Sequence, residues 1–285
     1  MAHIALAQSP LASGRVPVRI RIRDRGGADR PALFFLHGGW GYEIYPFDRQ
    51  TAALADRFRI VIPDRCGYGG STPIDSLPAD FHARAATETM AVVDALGPMD
   101  VAPPILWGHS DGAIIALLIG LASPDRIAGI VIEAAHYVRR KPSSRAFFEA
   151  AIANPDSLGA GVAAILARDH GERWRDVLSM HGRAWLRIGD EAASDAEDFY
   201  GGRLDALRAP VLVVHGGRDP RTEPGELDAL TAALRRRSHA RTDVLILADG
   251  GHSLHSERAT ADQVTAAASG FCASVSAAAR PKAAR

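Results

Sequence analysis

Ser110, Asp219 and His252 are the three residue types that together turn a hydroxyl into a nucleophile. A serine at its ordinary pKa attacks poorly. A nearby imidazole takes its proton, and a carboxylate orients that imidazole and offsets its charge. Ser110 lies in Gly-His-Ser-Asp-Gly (108–112), with apolar runs on both sides. A sharp strand-to-helix turn explains both the glycines and the flanks. A serine N-cap on a buried helix is the simpler reading of the same five residues. Asp219 lies in HGGRDP (215–220) and His252 in ADGGHSLH (248–255), each after a β-rich run. The order Ser, Asp, His fits three loops meeting at the C-terminal edge of one sheet.

The elements that must position these residues are legible in outline. Buried or alternating β-rich runs occupy 16–22, 32–39, 59–64, 103–108, 127–135, 209–217 and 242–248. Helical spacing occupies 47–58, 81–97, the stretch after Ser110, 224–236 and 257–276. Strands alternating with helices imply a largely parallel sheet in an α/β fold. The run VPVRIRI alternates apolar and basic residues and reads as a half-exposed antiparallel edge strand. From 136 to 207 the rhythm breaks into charged helical segments with no convincing strand. One α/β domain with a helical insertion is the simplest architecture.

Composition excludes several classes. The 285 residues are 47% hydrophobic, enough for a large core. Thirty-three basic residues balance 33 acidic ones, so nothing points to nucleic acid or to a membrane surface. No run approaches the ~18 apolar residues of a membrane span, and the N-terminus makes a poor signal peptide. Two cysteines, Cys66 and Cys272, are too few for a disulfide framework and suit a reducing cytoplasm.

Five pieces taken together, HGG (37–39), DRCGYGGS (64–71), GHSDG (108–112), GGRDP (216–220) and GGH (250–252), resemble the α/β-hydrolase superfamily. There is some similarity to valacyclovir hydrolase-like and ring-cleavage-product hydrolases within it. The resemblance implies a mostly parallel, roughly eight-stranded sheet flanked by helices. It also implies a core of 1–135 and 208–285, with a helical cap at 136–207 inserted after the sixth strand. Ser110 is then the nucleophile, His252 the general base and later acid, and Asp219 the orienting acid. The backbone N–H groups of Gly39 and Asp111 would form an oxyanion hole, with Trp40 next in line if the loop is shifted. No cofactor is required.

Several residues carry competing readings. Glu133 ends the strand after the Ser110 helix, where some superfamily members place the acid, so it rivals Asp219. A supporting hydrogen bond is its alternative. Asp111 either complements a helix N-terminus or faces the pocket and selects a cationic group, as the valacyclovir hydrolase-like resemblance implies. Trp40, Glu133, His136 and Trp185 are the expected pocket residues, with His136 alternatively a hinge of the insertion. Trp174, Phe147, Phe148 and Phe199 are expected in the core of the insertion, one or two of them reaching the pocket. His37 and His109 are expected to bond the backbone near the site. No metal is expected, because His252 and His255 lack a third ligand nearby in sequence.

The expected activity is hydrolysis of a small or medium carboxylic ester, with thioesters and lactones as neighbours. The expected partner is that small-molecule substrate alone. Carbon–carbon hydrolysis of a ring-cleavage product and a ligand receptor retaining a hydrolase pocket are the alternatives. Dehalogenases and epoxide hydrolases place Asp at the nucleophile position, and Ser110 argues against both.

Overall fold

Alternation along the central strands builds two cores. In β3 (Ala32–Leu36) every side chain is buried; Leu33 and Phe35 join one apolar cluster, and Ala32, Phe34 and Leu36 join another. β5 (Ile105–His109), β6 (Gly129–Glu133) and β7 (Val211–Gly216) are likewise buried throughout. Strands covered on both faces read as continuous apolar runs, which is why they stand out in the sequence. The structure is a computed structural model and describes residues 2–12, 14, 17–97, 99 and 101–279.

Eight strands form one sheet in the order β1-β2-β4-β3-β5-β6-β7-β8. From β3 to β8, including β4 (Arg59–Pro63) and β8 (Thr242–Leu247), all pairings are parallel. β1 (Ala2–Leu6) pairs antiparallel with β2 (Val18–Arg25), which pairs antiparallel with β4. One core contains α2 (Phe81–Ala95), α3 (Asp111–Ala122) and α7 (Glu226–Arg235); the other contains α1 (Asp48–Leu54) and α8 (Ala261–Ala279).

β2 corrects one expectation. It is not an edge strand, because β1 pairs on its outer side; Val16, in the expected span, lies outside the described residues. Two of its arginines are half-buried and partnered. Arg21 binds Asp64 and Asp169 (2.7 Å to the latter), and Arg23 binds Asp64 at 2.8 Å and Glu43 at 2.9 Å.

Between β6 and β7 the chain runs through α4 (Pro142–Ala153), α5 (Ala160–His170) and α6 (Trp174–Glu191). Among the described residues this stretch holds only an isolated β-bridge, Val138 with Asp198. Two buried polar clusters fasten it. At one, Asp169 binds Arg21 and accepts from the Glu43 N–H (3.2 Å), while His170 accepts from the Gly69 N–H and lies 2.9 Å from the Trp40 carbonyl. At the other, Glu226 accepts from Lys141 and from the N–H groups of Tyr137, Val138 and Glu223. No helix among the described residues is long and apolar enough to cross a membrane.

Candidate active site

The turn at Ser110 is enforced by two close backbone approaches. A Cβ on Gly108 would lie 2.1 Å from the Gly112 carbonyl oxygen, and one on Gly112 would lie 2.0 Å from that of Leu36. Neither position accepts a side chain. Ser110 itself sits at φ 54°, where a residue other than glycine is strained. Its N–H donates to the Glu133 carbonyl at 2.9 Å, and its own carbonyl accepts the first bonds of α3. The hydroxyl is thereby held at the C-terminal end of β5, at the head of a buried helix.

The structure brings the three expected side chains together. His252 Nε2 lies 3.1 Å from Ser110 Oγ, and Nδ1 lies 2.9 and 3.0 Å from the two Asp219 oxygens. A carboxylate only accepts, so Nδ1 carries the proton and Nε2 is free to accept from the hydroxyl. Burial pushes the Asp219 pKa up, but His252 and the Arg221 N–H (2.8 Å) outweigh it and hold the carboxyl below the ordinary range.

A cavity of about 70 Å³ opens onto Ser110 and His252. Its walls include Gly39, Trp40, His136, Trp185, Phe147 and Phe148. Trp40, His136 and Trp185 therefore lie where the sequence places them, and both phenylalanines reach the pocket. His136 also serves the start of the insertion, since its carbonyl accepts from Tyr200 Oη at 2.7 Å.

Glu133 does not line the cavity. It is fully buried, accepting from the His255 N–H (3.0 Å) and lying 2.7 Å from its Nδ1. His255 Nε2 lies 3.0 Å from the Tyr45 carbonyl. His109, Glu133 and His255 form a compact buried group, but hydrogen bonds already engage it. His109 Nε2 donates to the His252 carbonyl at 2.9 Å, and burial lowers its pKa to about 3. His37 donates from Nδ1 to the Gly38 carbonyl at 2.7 Å. Both histidines thus bond the backbone near the site, as expected.

Asp111 does not offer a free charge to the pocket. His181 Nε2 lies 2.9 Å from Oδ2; His82 Nε2 (3.2 Å) and Trp185 Nε1 (3.1 Å) lie beside Oδ1. Burial opposes its ionisation, but the two histidines prevail and hold it well below the usual carboxylate range. The sequence does not reveal His82 or His181. They come from α2 and α6, and no local spacing joins them to residue 111. Arg221 was missed for a similar reason, being an ordinary turn arginine until the insertion folds over it.

A family model described as "Alpha/beta hydrolase family" matches residues 33–267, and the chain belongs to that family of enzymes. The chain is similar to serine hydrolase BPHL of Mus musculus, 28% identical over 249 residues that cover 81% of this chain and 76% of that protein. Epoxide hydrolase A of Mycobacterium tuberculosis is 31% identical over 116 residues, covering 40% of this chain and only 34% of that protein. The chain thus spans about a third of that relative's length. A thermophilic esterase from Thermogutta terrifontis shares the fold, with a TM-score of 0.68 and 19% identity over 96% of this chain and 99% of that one.

Proposed function

We propose that this protein hydrolyses a small or medium carboxylic ester through an acyl-enzyme on Ser110. The observation that carries this reading is the continuous chain from Ser110 Oγ through His252 to Asp219. His252 takes the hydroxyl proton as Oγ attacks the ester carbonyl, then gives it to the departing alcohol. Water, deprotonated by the same imidazole, cleaves the acyl-enzyme and regenerates the serine. The Gly39 and Asp111 N–H groups receive the oxyanion in this scheme. Gly39 lines the cavity, and Asp111 opens α3, where the first N–H groups have no partner within the helix. The insertion acts as a cap whose aromatic residues bound the acyl site. The likeness to the mouse serine hydrolase and the fold of the thermophilic esterase both accord with this chemistry. No cofactor enters the scheme, and the two unpaired buried cysteines suit a reducing cytoplasm.

A fluorophosphonate probe is the test. It should label the wild-type protein and fail to label Ser110→Ala, and p-nitrophenyl esters should be turned over only by the former. Equal labelling of the two proteins would overturn the assignment.

A further inference from the structure

The Arg221 guanidinium lines the same cavity as Ser110 and His252. It is half-buried and stacks on Phe147, with its central carbon 3.2 Å from the ring centroid. The stack covers one face and leaves the N–H donors at its edge free. The side chain makes no hydrogen bond or ion pair with any described residue. None of the residues lining the cavity carries a carboxyl group. Asp219 acts on Arg221 only through space, because its oxygens are engaged by His252 and by Arg221's own backbone N–H. Burial dominates and lowers the guanidinium pKa despite Asp219 and Tyr45.

Other arginines and the lysine of this region behave differently. Lys141 is matched by Glu226, Arg139 by Glu197, Arg140 by Asp195 and Arg145 by Asp190. Asp111, a second carboxylate behind the pocket wall, is already engaged by His82, His181 and Trp185. The cavity therefore presents a cation with no carboxylate bonded to it, on an otherwise aromatic and imidazole wall. A partly desolvated guanidinium of this kind gains most from a carboxylate, which it can bind through two parallel hydrogen bonds.

The geometry points to Arg221 as a specificity residue that binds an anionic carboxylate carried by the substrate, so that the preferred ester is a half-ester of a dicarboxylic acid. The identity of the scissile group rests on the hydrolase reading above. The anion site does not, and the two can fail separately.

The experiment has two arms. In the first, kcat/KM is compared for the mono-p-nitrophenyl ester of glutaric acid and for p-nitrophenyl hexanoate, its uncharged analogue of similar length. The wild type should favour the anionic ester. In Arg221→Gln that ratio should fall by about tenfold or more, the range of a charge-assisted hydrogen bond, and Arg221→Lys should restore part of it. In the second arm, Ser110→Ala is titrated with monomethyl glutarate and with dimethyl glutarate, followed by the fluorescence of Trp40 and Trp185. The monoanion should bind more tightly, and adding Arg221→Gln should remove the difference. Equal binding of the two compounds, or an ester ratio unmoved by Arg221→Gln, overturns the proposal and leaves Arg221 as a clamp on Phe147. Selective anion binding without turnover of either ester would keep the anion site and overturn the hydrolase reading.

Discussion

Glu133 and His255 are joined twice, through the His255 backbone N–H and through its ring, while the Glu133 carbonyl holds the N–H of Ser110. One residue at the end of β6 therefore fixes the serine turn and also the loop that carries His252. This arrangement separates the two acidic residues by role. Asp219→Asn should leave the fold intact and cut kcat by about 10⁴, because the imidazole loses its orienting charge. Glu133→Gln should lower the melting temperature and cost much less activity, about tenfold, by loosening the loop. Steady-state kinetics and thermal unfolding of both variants decide it. The opposite ranking of kcat would make Glu133 the acid partner.

Acid should destabilise the protein from near neutrality rather than only in the carboxylate range. His109 is buried and neutral, with its pKa lowered from 6.5 to about 3. Burial also lowers His37, His82 and His136. Between those limits the unfolded chain binds protons that the folded chain refuses, so the stability is fully present above pH 6.5 and falls as pH drops towards 3. His109 alone contributes a slope of about 1.4 kcal/mol per pH unit over that range, and the others act in the same direction. Urea unfolding at pH 7.5, 6 and 5 should show the decline, and His109→Asn should flatten it. A flat profile down to pH 5 would refute this account.

The turn at Ser110 should tolerate no side chain at residue 112. Gly112→Ala places a methyl 2.0 Å from the Leu36 carbonyl oxygen, and backbone on both sides must move. A loss of at least ~2 kcal/mol is expected, together with loss of fluorophosphonate labelling. Soluble yield and chemical denaturation report the first effect. Wild-type stability in this variant would show that the turn is looser than its geometry.

The buried Lys141–Glu226 pair should cost more to break than to remove. Glu226→Gln strands a cation that burial already disfavours and loosens three backbone N–H groups. About 3–5 kcal/mol should be lost, and adding Lys141→Met should recover a good part of it. A double variant no better than the single would show that the backbone bonds, not the charge, carry the stability.

Sequence reasoning reaches the site unevenly, for physical reasons. Ser110 and Asp219 follow buried strands, His252 follows the half-buried β8, and all three have glycines nearby that the crowded sheet edge demands. Position along the chain therefore announces them. Glu133 is visible as a strand-end acid, yet its partner His255 could be told from other histidines only by contact. His82, His181 and Arg221 meet the site solely because the insertion folds back over the sheet. No periodicity encodes such a meeting. β1 leaves little signal, because the five-residue strand is mostly exposed and carries little apolar patterning, and without it β2 has the pattern of an edge.

The two polar fasteners of the helical insertion, Asp169 with Arg21 and Lys141 with Glu226, grip it at its middle and near its start, one on β2 and the other on α7. A swing of the whole insertion would have to break both buried ion pairs at once. Rotamer changes at Trp40, Phe147, Phe148 and Trp185, which line the cavity, break neither pair. Side-chain bulk at those four positions therefore limits the space beside Ser110.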